Sequence, residues 1–302
     1  MPPAPIVSVD LQGGLGNQMF QYAACHALAR RTGADMRLDV SYFARSTKRR
    51  YLLDCYAVPA PISHEASPTT HRGPARELAR KVARRLGMST DFLEGGGKIH
   101  QQQGFHFDPA FESLVPPVHL HGYFQSELYF RDVAEEIRKL FVIRVPTSPG
   151  FAARRERVAA SAWPVSIHVR RGDYVSEPVT SEVHGTCDDA YYRAATSLAE
   201  RLCPSPPSYF VFSDDIASAR DLLRGLKDAV YLGGDVERPW EDIALMSACR
   251  GHVIANSSFS WWGAWLAQAA DKWVIGPRQW FAPAYQRTIS TNDILCPGWI
   301  GL

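Results

Sequence analysis

The sequence predicts an α/β protein of two Rossmann-type domains facing across a cleft, and three observations carry that expectation. A chain of 302 residues with 46% hydrophobic content can bury a large core, and it exceeds the roughly 150 residues of a typical domain. In the second half, apolar strand-like runs alternate with helix-length segments, the rhythm of a doubly wound parallel sheet. Near the N-terminus a strand, a glycine turn and a helix follow one another as a first βα unit. Pro146-Thr147-Ser148-Pro149-Gly150 is the expected linker, dividing the chain into residues 1–150 and 151–302.

The elements follow in order. A strand runs from Ile6 to Leu11, and a helix from about Gln18 to Arg31, with Asn17 as its N-cap and Gly33 as its stop. Residues 59–74, rich in Pro, Ser, Thr and His, read as a loop. Pro74 then opens an amphipathic helix over 74–87, whose polar side carries, with Arg72 just before it, Arg76, Arg80, Lys81, Arg84 and Arg85 against the single acid Glu77. Such a basic face either lies peripherally on anionic membrane or is simply solvated. Gly95-Gly96-Gly97 marks a connection. In the second half, strands at 165–170, 208–213, 229–232, 252–255 and 273–276 are separated by helices near 189–202, 216–225, 239–250 and 259–270.

Composition narrows the function classes. A net charge of +2 is too small for a dedicated nucleic-acid binder, so no nucleic-acid partner is expected. The six cysteines contain no Cys-x-x-Cys pair and read as reduced thiols of a cytoplasmic protein. No apolar run approaches the ~20 residues that span a bilayer, and Met1 to Pro5 lack the start of a signal peptide.

The chemistry concentrates at His168-Val169-Arg170-Arg171-Gly172-Asp173-Tyr174. Val165, Ile167 and Val169 alternate with Ser166, His168 and Arg170, which sends the aliphatics to one face and His168 with Arg170 to the other. Arginines where a parallel strand ends are matched to phosphate oxygens, or else form a surface Arg-Asp pair. Three further sites read less strongly. The glycine turn at 13–16 lacks the Lys of a P-loop and has Met19 where a dinucleotide fingerprint needs glycine. Asp214-Asp215 is not an Asp-x-Asp metal pair, and His119-x-His121 projects two imidazoles from one strand face with no third ligand evident.

Five blocks, taken together, resemble glycosyltransferase family 11, the α-1,2-fucosyltransferases of bacterial type: Gly13 to Ala23, Gly122 to Phe130, His168 to Tyr174, Phe212 to Asp215, and Asn256 to Leu266. The resemblance runs from about Val9 to Trp280 and implies the GT-B arrangement, with an acceptor-side domain over 1–150 and a GDP-fucose-binding domain over 151–302. It implies inverting transfer of fucose from GDP-fucose to a galactoside 2-hydroxyl, without a metal or other cofactor. Within the blocks, Arg170 matches the arginine that meets the leaving diphosphate, and Arg171 either assists or pairs with Asp173. Asp214 accepts the two adjacent N–H donors of guanine while Asp215 caps the next helix, and His168 touches the base. Asn256, Ser257, Ser258 and Phe259 cradle phosphate at a helix N-terminus. Gly14, Asn17 and Gln18 line the cleft near the fucose and its diphosphate, and Trp261, Trp262 and Trp265 form either a sugar-stacking platform or, as their helical spacing favours, part of a core. Asp173 and Glu177 are the carboxylates placed to act as base. The rival functions are fucosyl transfer of other regiochemistry, 1,3- or protein O-linked, and non-catalytic nucleotide binding.

Overall fold

The computed structural model describes residues 4–64, 98–172, 185–233 and 235–302. The basic segment at 74–87, the Gly95–Gly97 run, most of the 59–74 loop, Asp173 and Glu177 lie outside the described residues. The chain forms two compact units, Met1–Val142 and Ile143–Leu302. The boundary thus precedes Pro146–Gly150. Both the N–H and the hydroxyl of Ser148 bond the buried carboxylate of Glu241, at 2.6 Å each, which draws that segment into the second unit.

In the first unit, strands β1 (Ile6–Asp10), β2 (Asp35–Asp39), β3 (Ile62–Ser63), β4 (Lys98–Gln101) and β5 (Val118–His121) form a sheet in the order β3-β2-β1-β5-β4. Every pairing is parallel. Helix α1 (Leu15–Thr32) follows β1 directly and is buried almost all round, and the short helices α2 (Ser41–Arg45) and α3 (Ala134–Leu140) lie later in the unit. The helix starts earlier than its sequence suggests. Gly13 turns the chain at φ 78°, where a Cβ would stand 2.6 Å from Asn17 Nδ2, so only glycine fits. Gly14 is then the N-cap, and its carbonyl accepts the N–H groups of Asn17 and Gln18. Asn17 therefore sits inside the first turn and is not the cap. Gly33 ends the helix in the left-handed conformation, as expected.

In the second unit, β6 (Pro164–Val169), β7 (Ser208–Ser213), β8 (Val230–Tyr231), β9 (Gly251–Val253), β10 (Trp273–Gly276) and β11 (Ile300–Gly301) form a parallel sheet in the order β11-β10-β9-β6-β7-β8. Counted from β6, that is the doubly wound order 3-2-1-4-5-6. The helices are α4 (Phe151–Ala159), α5 (Asp189–Leu202), α6 (Ile216–Leu222), α7 (Pro239–Ser247), α8 (Ser258–Leu266) and α9 (Pro283–Gln286). The alternation in β6 does not separate core from solvent. All six residues are buried, because a central parallel strand is covered on both faces. Val165, Ile167 and Val169 join Tyr192 and Ala195 of α5 and Ala219 of α6 in one cluster. Trp261, Trp262 and Trp265 are buried as expected, with Trp261 Nε1 donating to the carbonyl of Ile294 at 2.6 Å.

The second sheet reverses its strand order beside its first strand, at β6/β9, whereas in the first the chain crosses from β3 to the far edge at β4 and returns inward, so that β5 lies against β1. Parallel α/β sheets open a crevice at such a reversal, beyond the carboxyl ends of the strands. No described helix is long and apolar enough to cross a membrane, and no disulfide links the six cysteines.

Candidate active site

In the second unit, the residues singled out from sequence gather at the carboxyl ends of β6, β7 and β9. Arg170 leaves β6 and Asp214 leaves β7, and their side chains meet with Nη1 2.5 Å from Oδ2. The other oxygen, Oδ1, accepts the backbone N–H of Arg171 at 2.9 Å. Asp214 thus fastens two strand ends together, and each of its oxygens already has a donor. Binding guanine through this carboxylate, as expected from sequence, requires sharing those lone pairs. Gly172 packs against Asp214 so closely that a side chain there would strike the carboxylate. The Arg171 guanidinium donates to the carbonyl of Cys187 at 3.2 Å. Asp215 is the cap of α6, accepting the N–H of Ser218 at 3.0 Å, as expected.

His168 is buried within β6, its ring 5.5 Å from that of Phe259. Burial pulls its pKa down to about 4, reinforced by Arg170 and opposed by Asp214. It is neutral at neutral pH, and its buried Nδ1 has no hydrogen-bond partner in the described structure. A neutral imidazole with an unsatisfied nitrogen beside an Arg-Asp pair is ready to bond a heterocycle.

The cradle at the start of α8 is tighter than the sequence suggests. Ser257 is the N-cap, its Oγ accepting the N–H of Phe259 at 3.4 Å, so this hydroxyl is already committed. Asn256 is buried and donates to the carbonyls of Trp280 and Gly185 at 3.1 and 3.4 Å, tying three loops together. Ser258 opens the helix and presents its terminus.

In the first unit, Gly14 and Asn17 lie at the carboxyl end of β1. Gln18 does not line an open surface. It is fully buried, with its amide donating to the carbonyls of Gly13 and Arg50 and accepting from the N–H of Leu52, so it positions the glycine turn. Sequence reasoning singled out His121 and included Gln125 in a block without foreseeing their partners, and it did not name Asp10. Gln125 donates to Asn17 Oδ1 at 2.8 Å, cross-linking two of the sequence blocks, and Asp10 and His121 meet at the carboxyl ends of β1 and β5. Phe124 holds φ at 52°, a strained conformation for an aromatic residue, where Gln102 accepts its N–H and Phe111 and Tyr129 pack around its ring. Among the described residues, no group of three or more His, Cys, Asp or Glu could hold a metal ion.

Comparison with known proteins gives the family and the fold. The chain is 32% identical to the O-antigen biosynthesis glycosyltransferase WbnK of Escherichia coli, covering 97% of this chain and 99% of the relative. It is 30% identical to an alpha-1,2-colitosyltransferase of E. coli, over 91% and 92% of the two chains. It is 26% identical to a galactoside 2-alpha-L-fucosyltransferase of Bos taurus, over 100% of this chain and 75% of the relative. Among solved structures, Arabidopsis thaliana FUT1 in complex with GDP superposes with TM-score 0.53 at 15% identity, over 93% of this chain and 72% of that one. NodZ alpha-1,6-fucosyltransferase soaked with GDP-fucose gives TM-score 0.50 at 14% identity, over 87% and 92%. These likenesses establish the GT-B fold expected from the sequence. The model of glycosyl transferase family 11 matches residues 109–302, taking in β5 with its turn and the whole Arg170, Asp214 and α8 site. With relatives of E. coli aligned along nearly all the rest, this chain belongs to glycosyl transferase family 11.

Proposed function

We infer that this protein transfers L-fucose from GDP-β-L-fucose to the 2-hydroxyl of a galactoside, with inversion and without a metal ion. The observation that carries the reading is the Arg170 and Asp214 pair at the β6 switch point, beside neutral His168 and the start of α8, in a chain of family 11. The acceptor oxygen attacks C1 of the fucosyl group while the bond from C1 to the β-phosphate oxygen breaks, and the electron pair leaves with GDP. Negative charge grows on the diphosphate. Arg170, held by Asp214, answers that growth with a fixed cation, and the N-terminus of α8 adds oriented N–H groups. His168 and Asp214 face the guanine, and the second unit is the donor side. The first unit is the acceptor side, with Gly14 and Asn17 reaching the fucose and its diphosphate.

The relatives named as α-1,2-fucosyl and α-1,2-colitosyl transferases support the linkage and leave the sugar to be assayed. The test is a screen of GDP-fucose and GDP-colitose against galactosides, with linkage analysis of the product. Melting scans with GDP, ADP and UDP at equal concentration accompany it, because a ligand that binds only the folded protein raises its stability. Failure of GDP to outperform the other two, or a product of other linkage, would overturn the assignment.

A further inference from the structure

Two consecutive tyrosines brace the switch point of the second sheet. The ladder between β6 and β7 runs to Val169 opposite Ser213, whereas that between β6 and β9 stops at Ile167 opposite Val253. Beyond that last pair the ends of β6 and β9 have no register partner in each other, and a tyrosine hydroxyl takes a carbonyl from each side. Tyr192 Oη donates to the carbonyl of His168 at 2.9 Å. Tyr191 Oη donates to that of Ile254 at 2.6 Å, with the Ile275 carbonyl 3.4 Å away.

Both side chains come from the first turn of α5. Asp188 accepts the N–H of Tyr191 on its carboxylate at 2.9 Å and that of Tyr192 on its carbonyl at 3.3 Å, which fixes the turn. The two rings meet edge to face, 5.1 Å apart, and this contact couples their orientations. Burial pushes both phenols well above their ordinary pKa, so both stay protonated donors. Tyr192 also belongs to the core cluster with Val165, Ile167 and Val169. One helical turn thus holds a carbonyl on each wall of the crevice and sets the spacing between them. The β6 wall carries His168 and leads to Arg170; the other leads within two residues from Ile254 to Asn256 and on to the start of α8.

We propose that Tyr191 and Tyr192 are positioning residues for the nucleotide donor, a brace that holds the two walls of this crevice at the separation a nucleoside diphosphate needs. Each hydroxyl gives its single proton to a backbone carbonyl, so the pair acts through His168 on one side and through the approach to α8 on the other. This rests on the fucosyl-transfer reading above, in which the second unit is the donor side, and every residue of the brace belongs to that unit. The competing role is plain stability, since any buried hydroxyl that satisfies a carbonyl supports the fold. Tyr209, near the start of β7, supplies the comparison, because its hydroxyl donates to Thr196 farther along α5 at 3.5 Å.

The test compares the native protein with Tyr191→Phe, Tyr192→Phe, the double variant and Tyr209→Phe, by kcat/KM for GDP-fucose with a galactoside, Kd for GDP and the urea midpoint. Phenylalanine keeps the ring and removes only the donor. Each single brace variant should stay folded, raise Kd for GDP and lower kcat/KM by about 10- to 10²-fold, the scale of a constellation displaced by about 1 Å. The double variant should lose no more than about twofold beyond the more impaired single, because two parts of one brace are not additive. Tyr209→Phe should lower the urea midpoint, as loss of a hydrogen bond does, and leave kcat/KM and Kd for GDP within about twofold.

The proposal is overturned if either folded single variant keeps kcat/KM within about twofold of native, or if Tyr209→Phe loses GDP affinity as they do, which would make the effect one of stability alone. Losses in the double variant that multiply those of the two singles would show independent contacts and refute the brace. Should one single variant not fold, the other decides by the same criteria; should neither fold, the hydroxyls hold the unit together and the positioning role falls. Failure of the underlying reading gives a different result. The native protein then binds GDP no better than ADP or UDP, and the brace assignment falls with it.

Discussion

Replacing Arg170 with lysine separates charge from geometry at the leaving group. Alanine is the poorer probe, because it strips Asp214 of the Arg170 cation and leaves the Arg171 N–H on the other oxygen of that carboxylate. Orphaning a fully buried partner costs about 3–5 kcal/mol, and here somewhat less, since both side chains of the pair are 20% exposed. Lysine keeps an ammonium within reach of Asp214 and so preserves the fold. What it loses is the guanidinium fork, which lets one group hold Asp214 and still present donors to a diphosphate. Removing one preorganised donor from a developing anion lowers kcat by about 10²- to 10³-fold, or roughly 2.7–4 kcal/mol. Arg170→Lys should fall in that range. Arg171→Lys should cost under about tenfold by comparison, because its link to Asp214 is a backbone N–H that any residue supplies, and its side chain donates to a single carbonyl. The assay is kcat and KM for both variants at saturating GDP-fucose, with circular dichroism confirming the fold. Near-normal kcat in Arg170→Lys alongside an inactive Arg171→Lys would show that the wrong guanidinium has been placed at the diphosphate.

Three further outcomes are expected. Treatment with EDTA should leave turnover intact, because in the proposed function Arg170 and the α8 terminus supply the positive charge; complete loss restored by manganese would refute this. Gly13→Ala should lower stability by about 1–3 kcal/mol and depress kcat, because φ is 78° and the new Cβ would meet Asn17; a denaturant midpoint equal to that of the native protein would contradict it. Stability should fall as pH drops from about 6.5 to about 4, because the unfolded chain protonates a histidine that His168, lowered to about 4, refuses to protonate when folded. Above about 6.5 that contribution is complete. His252 is shifted in the same direction, so His168→Gln should flatten the slope of a urea-unfolding series across that window without abolishing it.

The architecture of the second unit was legible because its signals are local. Apolar runs at 208–213 and 273–276 coincide with β7 and β10, and Asp188, not named in advance, starts α5 at the expected residue 189. Asp215 as a cap and the tryptophans as core were also readable, since capping and helical packing depend on neighbours a few residues away. Boundaries were less so. Asn17 has the chemistry of a cap, but Gly13 turns the chain so sharply that the helix starts before it.

Side-chain function divided differently. Arg170, Asp214 and His168 stood out as residue types, yet only folding paired the first two and desolvated the third. Gln18 carries the same chemistry as Gln125, but one is sealed by three backbone bonds and the other reaches Asn17. Asp10 and His121 are separated by more than a hundred residues, and nothing in their spacing relates them. Sequence by itself determined the elements, the family and the candidate residues for the proposed chemistry, because propensity, periodicity and side-chain type are properties of short segments. Tertiary structure alone decided which of those residues meet, because strand order places β5 against β1 and β9 against β6, and the polar atoms brought together there are what set charge and access.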